Sequence, residues 1–307
     1  MEWLLAAAGP IILIFAGDSL VKGAVNLALR LGVPALIVSL TIVAFGTSAP
    51  ELLISVQSIL DGFPGLALGN VVGSNTANVL LVLGIPALLA VMRTSDYDVR
   101  SSYLQMLAAT ALFIVLCYFG PLNRVSGLIL LAGLAAMLAH AVISARNSRE
   151  APEVEGADPS MAWGKIILFL IAGLIGLPIG SELLIRGATT IAQDFGISDS
   201  VIGLTLVAVG TSLPELATTV MAAIRRQADV ALGNVIGSNL FNLLGIMGIA
   251  TLVGPVPVDP QFLSYDLWVM AGAALLMIPL VFMGRNLTRV WGIGLTAAYA
   301  VYVWSIL

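Results

Sequence analysis

Long apolar runs, each interrupted by only a few polar positions, follow one another along almost the whole chain. A helix needs about 20 residues to cross a hydrocarbon core of about 30 Å. Runs of that order lie near residues 3–29, 34–60, 66–91, 101–119, 125–145, 163–192, 198–224, 229–254, 264–283 and 288–306. They predict an all-α integral membrane protein with ten transmembrane helices. Two of the runs carry polar groups where lipid is least forgiving. Gly46-Thr47-Ser48-Ala49-Pro50-Glu51 returns as Gly210-Thr211-Ser212-Leu213-Pro214-Glu215, so each run holds a carboxylate beside a helix-breaking proline. A charged side chain at the bilayer centre costs about 2.5–3.5 kcal/mol on insertion scales unless a partner is supplied. A cation between the two glutamates would supply it.

The two motifs sit in longer repeats. Glu215 follows Glu51 by 164 positions, and that offset holds without a gap from about Asp18/Glu182 to Gly84/Gly248. It pairs Gly23 with Gly187, Thr41 with Thr205, Asn70 with Asn234, Gly73 with Gly237, Ser74 with Ser238, Asn75 with Asn239 and Asn78 with Asn242. Each unit holds five runs, an odd number, so the second must cross the membrane upside down relative to the first. Residues 1–145 then form the first inverted repeat (TM1–TM5), 146–162 a linker, and 163–307 the second repeat (TM6–TM10). Inverted repeats with discontinuous helices place a site near the midplane, and exchanging the conformations of the halves alternates its access.

The motif also acts on the backbone. Pro50 has no N–H to offer Gly46, and Pro214 has none for Gly210. The carbonyls from Ala44 to Thr47 and from Ala208 to Thr211 are therefore expected to lose partners. Irregular backbone survives at that depth only where it lines a cavity or meets an ion. The Thr47 and Ser48 hydroxyls, like those of Thr211 and Ser212, stand about one turn before the glutamate on the same helix. Ser74 and Asn78 in the next run are four apart and share a face, as do Ser238 and Asn242. The candidate metal ligands are thus Glu51, Glu215, Thr47, Thr211, Ser48, Ser212, Ser74, Ser238, Asn78, Asn242, Ala44 and Ala208. All offer oxygen, which suits Ca2+ or Na+ better than zinc or copper. The pattern calls for no cofactor.

Composition narrows the class further. With 59% hydrophobic and 10% charged residues and a mean hydropathy of +1.05, the chain does not read as a soluble enzyme. The single cysteine, Cys117, excludes an intrachain disulfide and reads as a buried apolar thiol. The net charge of −4 matters less than where the basic residues fall. With the N-terminus outside, Lys22, Arg30, Arg93, Arg100, Arg146, Arg149, Lys165, Arg225, Arg226, Arg285 and Arg289 lie at cytoplasmic helix ends, leaving Arg124 and Arg186 opposite. That bias places both termini outside and the linker in the cytoplasm of a cell with this protein in its (inner) membrane. Glu2 and the lack of a basic start argue against a cleaved signal peptide. The linker, from Arg146 to Ala162, mixes Pro, Gly and charges and reads as a solvated connector. Asp18 with Lys22 and Glu182 with Arg186 are spaced for ion pairs along one helix, and His140 reads as an interfacial residue. Nothing resembles a nucleic-acid surface or a phosphate-cradling loop. The lipid bilayer is the expected surrounding, and a monomer can suffice.

At these residues the chain resembles a known family. The GTSxPE segments, followed by GNVVGSNTANVLLVLG and GNVIGSNLFNLLGIMG, are similar to the two alpha repeats of the sodium/calcium exchanger family, in its prokaryotic form. The resemblance implies a secondary antiporter that moves Ca2+ against Na+. Carried over by position, Glu51 and Glu215 are the calcium carboxylates and Thr47 and Thr211 contribute backbone carbonyls. Ser48, Ser74, Ser212 and Ser238 line flanking sodium sites, and Asn78 and Asn242 complete the centre. Sodium-coupled relatives often carry Asp at one of those last two positions, whereas this chain has Asn at both. The proton-coupled branch typically has an acid soon after the GN dipeptide, where this chain has Gly73 and Gly237, which favours sodium coupling.

Two ionised glutamates neutralise one Ca2+ or two Na+, and a third Na+ leaves the site one charge positive. Protons are expected to compete with calcium for the empty pair. The alternative is a Ca2+/H+ antiporter using the same glutamates.

Overall fold

A computed structural model describes residues 2–147, 158–195 and 210–306. Eleven helical segments run through them: α1 (Glu2–Leu31), α2 (Ala35–Thr47), α3 (Ala49–Leu60), α4 (Pro64–Leu89), α5 (Arg100–Tyr118), α6 (Arg124–Asn147), α7 (Trp163–Asp194), α8 (Leu213–Ile224), α9 (Ala228–Val253), α10 (Phe262–Phe282) and α11 (Arg289–Ile306). Seven are long and apolar enough to cross a membrane, and eight spans result if α2 and α3, bent by 42° at Ser48, count as one. The protein is therefore a multi-pass, all-helical membrane protein. The run expected at 198–224 falls partly outside the described residues, which include only its later part, α8.

Burial sorts the helices into two classes. In α4 and α9, 83% and 89% of the most apolar window is buried inside the protein, against 28–44% in the other spans. These two central helices carry the polar Ser and Asn positions, which would be costly against lipid and are shielded here by the surrounding helices. Their neighbours present Leu, Ile, Val and Phe outward. Exposed apolar side chains are the norm where the solvent is hydrocarbon.

Small residues let the helices approach backbone to backbone. α1 and α7 pack along their lengths, and a methyl placed on Gly173 would lie 2.8 Å from Leu20 Cα, or on Gly187 2.5 Å from Ala6 N. α9 closes on α2 in the same way, since a methyl on Gly237 would meet the Leu40 carbonyl oxygen at 2.4 Å.

Repeat-related features recur at the chain's turns. α3 ends with Phe63 N donating to Ser58 O at 2.8 Å, and α8 with Gln227 N donating to Ala222 O at 2.8 Å, 164 positions later. Both ends need a left-handed residue. Gly62 supplies it at φ 84° in the first, but Arg226 must adopt φ 59° in the second. Two short backbone bridges, Met92 with Leu287 and Leu122 with Val256, tie loops together. The described part of the linker is anchored to α1: Arg30 donates to Met161 O at 2.7 Å and Asp158 N to Asn26 Oδ1 at 2.8 Å. Hydrogen bonds from Ser160 hold the Asp158 carboxyl below the usual carboxylate range.

Candidate cation site

Both motifs sit at helix starts created by their prolines. Pro50 lies in the first turn of α3 and Pro214 in that of α8, where a missing N–H costs nothing. Glu51 and Glu215 follow in the same first turn, where the helix dipole favours an anion. Their exposures are 1% and 0%. Ser48 joins the two copies directly, donating from Oγ to Glu215 Oε1 at 3.0 Å, and Ser238 of α9 approaches the same oxygen at 3.5 Å.

Each glutamate is steadied through its backbone by an asparagine. Asn70 Nδ2 donates to Glu51 O at 3.1 Å and to Ser55 Oγ at 2.9 Å. The repeat mate Asn234 donates to Glu215 O at 3.3 Å and to Thr219 Oγ1 at 3.1 Å. Thr47 adds a bond across the molecule, from Oγ1 to Asn234 Oδ1 at 3.3 Å.

The buried oxygens are incompletely satisfied. Glu51 Oε2, Glu215 Oε2, Asn78 Oδ1, Asn242 Oδ1 and Ser212 Oγ have no hydrogen-bond partner among the described residues. Buried polar atoms are nearly always paired, so several orphaned oxygens from both motifs and both central helices fit hard cations carried as cargo. Among the described residues, no group of three or more acidic, histidine or cysteine side chains forms a candidate metal site. Charge at this site therefore comes from the two glutamates, with neutral oxygens around them.

The comparisons with known proteins agree with that chemistry. The sodium/calcium exchanger protein family matches residues 1–143 and 165–307. The chain is 36% identical over 306 residues to a protein named as an antiporter, CaxA of Alkalimonas amylolytica, covering 96% of this chain and 95% of that one. It is 32% identical over 346 residues to the sodium/calcium exchanger MaX1 of Methanosarcina acetivorans, covering 99% and 97%. A more distant relative, the Ca2+/H+ antiporter ChaA of Bacillus subtilis, is 26% identical over 255 residues, covering 75% and 72%. The fold matches the solved sodium-calcium exchanger NCX_Mj, soaked with 2.5 mM Na+ and 10 mM Sr2+, at a TM-score of 0.86 and 32% identity, covering 99% of each chain.

The chain belongs to the sodium/calcium exchanger family.

Members of this family are transporters of Ca2+ and Na+ rather than enzymes. In this chain the expected ligand positions Glu51, Glu215, Thr47, Thr211, Ser48, Ser212, Ser74, Ser238, Asn78 and Asn242 are all buried. One expectation needs correction. The Ala44 carbonyl is not freed by Pro50, because it accepts the ordinary helical bond from Ser48 N at 3.0 Å. Ala208 lies outside the described residues. The Gly210 carbonyl, whose helical partner Pro214 removes, is taken instead by Ser181 Oγ of α7 at 2.6 Å. Its mate Gly46 has no such donor, since Gly17 stands where the repeat would put Ser181.

Several contributors were not singled out from sequence. Asn70 and Asn234 were visible as repeat pairs, but nothing in the spacing said that they grip the glutamate backbones. Both central helices carry a π-helical stretch at the site, Asn78–Val82 and Phe241–Ile246, a widened turn often found at functional positions. No residue pattern announces it. Asp18 pairs with Lys22 at 2.8 Å as expected, yet it also pairs with Arg225 beyond α8. Glu182 pairs with Arg186, Cys117 is buried, and His140 Nε2 meets Ser101 Oγ at 3.0 Å near the surface.

Proposed function

We propose that this exchanger is a secondary active antiporter that trades Ca2+ for Na+ by alternating access and extrudes Ca2+ across the cell (inner) membrane. Ten transmembrane helices form two inverted five-helix repeats, residues 1–145 and 163–307, joined by a cytoplasmic linker at 146–162, with both termini outside. Glu51 and Glu215 hold Ca2+ at the midplane with the Thr47 and Thr211 carbonyls. Ser48, Ser74, Ser212 and Ser238 line flanking Na+ sites, and Asn78 and Asn242 complete the centre. Ala208 keeps its place through its carbonyl, whereas that of Ala44 is engaged within its own helix.

The observation that supports this reading most is the Ser48–Glu215 bond between the two motifs, set among buried oxygens without partners. Burying two uncompensated carboxylates opposes closure of the empty carrier, while a bound Ca2+ or two Na+ removes that penalty. Only loaded forms then switch readily, which couples the two fluxes. Protons compete for the same oxygens.

The test is Ca2+ uptake into proteoliposomes under an outward Na+ gradient. Uptake should follow Na+ and fall away when Li+ or K+ replaces it. Uptake driven equally by a pH gradient without Na+ would favour the second reading, a Ca2+/H+ antiporter, which the relationship to ChaA keeps in view.

A further inference from the structure

Four asparagines, Asn75, Asn78, Asn239 and Asn242, lie on the central helices α4 and α9, and two of them, Asn75 and Asn239, have no role in the site as described so far. Asn78 Nδ2 donates to Asn239 Oδ1 at 3.1 Å, and Asn239 Nδ2 donates to Met106 Sδ of α5 at 3.6 Å. The direction of this chain is fixed at its far end. A thioether sulfur accepts but cannot donate, so Met106 takes the NH2 end of Asn239 and turns its carbonyl toward Asn78. Asn78 must answer with its own NH2, which leaves its Oδ1 as the free end. That oxygen is buried and has no partner among the described residues.

The repeat offset of 164 carries Asn239 back to Asn75 and Asn78 forward to Asn242; the same spacing, taken past the ungapped stretch, leads from Met106 to Met270, which is buried on α10. This second set is arranged differently. Asn75 Nδ2 is spent on Val71 O at 2.7 Å, and among the described residues Asn75 Oδ1 and both polar atoms of Asn242 have no partner. The mirror bond, from Asn242 Nδ2 to Asn75 Oδ1, is not made. Its acceptor, Asn75 Oδ1, and its donor, Asn242 Nδ2, are both buried and unengaged among the described residues.

We propose that Asn239 and Asn75 are positioning residues in two alternating amide relays. Met106–Asn239–Asn78 aims the Asn78 carbonyl at the cation in the state described here, and Met270–Asn75–Asn242 aims the Asn242 carbonyl in the oppositely facing state. An amide has one end that attracts a cation and one that repels it. A relay ending on sulfur holds the attractive end in place without adding charge to a site balanced by two glutamates. This proposal rests on the antiporter reading above.

The experiment measures Ca2+ KM and maximal rate separately at each face of oriented proteoliposomes. Met106→Leu keeps the volume and removes the acceptor, so KM should rise at one face only, by about tenfold, as for groups that orient a metal ligand. Asn239→Ala should do the same at that face and Asn75→Ala at the other, with maximal rates little changed. Asn78→Ala combined with Asn239→Ala should be no worse than Asn78→Ala alone. Equal effects at both faces, unchanged KM throughout, or additivity in the double variant would overturn the relays. If the asparagine variants fail to fold, Met106→Leu alone decides. Glu51→Gln separates the two levels: normal transport in it would sink the antiporter site itself, whereas inactive Glu51→Gln with additive asparagine variants would sink only the relays.

Discussion

At the first hinge, Ser48 donates to Glu215 and Thr47 to Asn234, both across the molecule. At the second, the Ser212 hydroxyl is buried with no partner among the described residues, and Glu51 receives no side-chain hydrogen bond from it. The same holds deeper in the helices, where Asn78 reaches Asn239 but Asn242 does not reach Asn75. The residues at the two hinges are nearly identical, so the difference belongs to conformation and not to chemistry. One set of contacts made and an equivalent set unmade is what a protein with two related, exchangeable states would present. On the proposed antiporter reading, the unmade bonds are those of the oppositely facing state.

The comparison breaks most severely if the carboxylates are removed. Glu51→Gln and Glu215→Gln should each cut Na+-driven Ca2+ flux by about a hundredfold or more, read as initial uptake into proteoliposomes. A smaller and sided effect comes from the serines. Ser48→Ala removes a hydrogen bond to a carboxylate, worth about 1.5–3 kcal/mol, and should weaken cation affinity about tenfold at one face. Ser212→Ala should act at the opposite face, where its bond forms. Equal effects at the same face would erase the distinction between the hinges.

Stability gives two gentler probes. Gly237→Ala drives a methyl toward the Leu40 carbonyl and the Ala44 side chain, at 2.4 and 2.6 Å, and overpacking of this kind costs about 1–3 kcal/mol. Thermal unfolding in detergent should show the loss. Arg226→Gly relieves a left-handed arginine at the turn where the first repeat has Gly62, and should stabilise the protein by at most about 1 kcal/mol. A loss of stability there would mean that the arginine side chain outweighs the backbone strain.

Much of this was legible in the chain because lipid makes polar groups conspicuous. Two glutamates, two prolines and the recurrence at 164 positions point to the site, and the glutamates and their flanking hydroxyls are buried where they were expected. What stayed hidden depends on geometry between helices. Proline implies a freed carbonyl, but it does not tell that Ala44 keeps its helical bond from Ser48 N, or that Ser181 of a different helix reaches Gly210. The salt bridge from Asp18 to Arg225 also escaped, because spacing along one helix reveals Lys22 and says nothing of a neighbour 207 positions away. The relay through Asn239 to Met106 joins three helices and leaves no local pattern at all.

Equilibrium binding of Ca2+ to the purified protein, titrated with Na+, tests most directly whether Glu51 and Glu215 share cations. Ca2+ should bind the wild-type protein, be displaced competitively by Na+ and progressively by acid, and fail to bind when both glutamates are replaced by glutamine. Binding that persists in the double glutamine protein, or that ignores Na+, would contradict a site built on these two carboxylates.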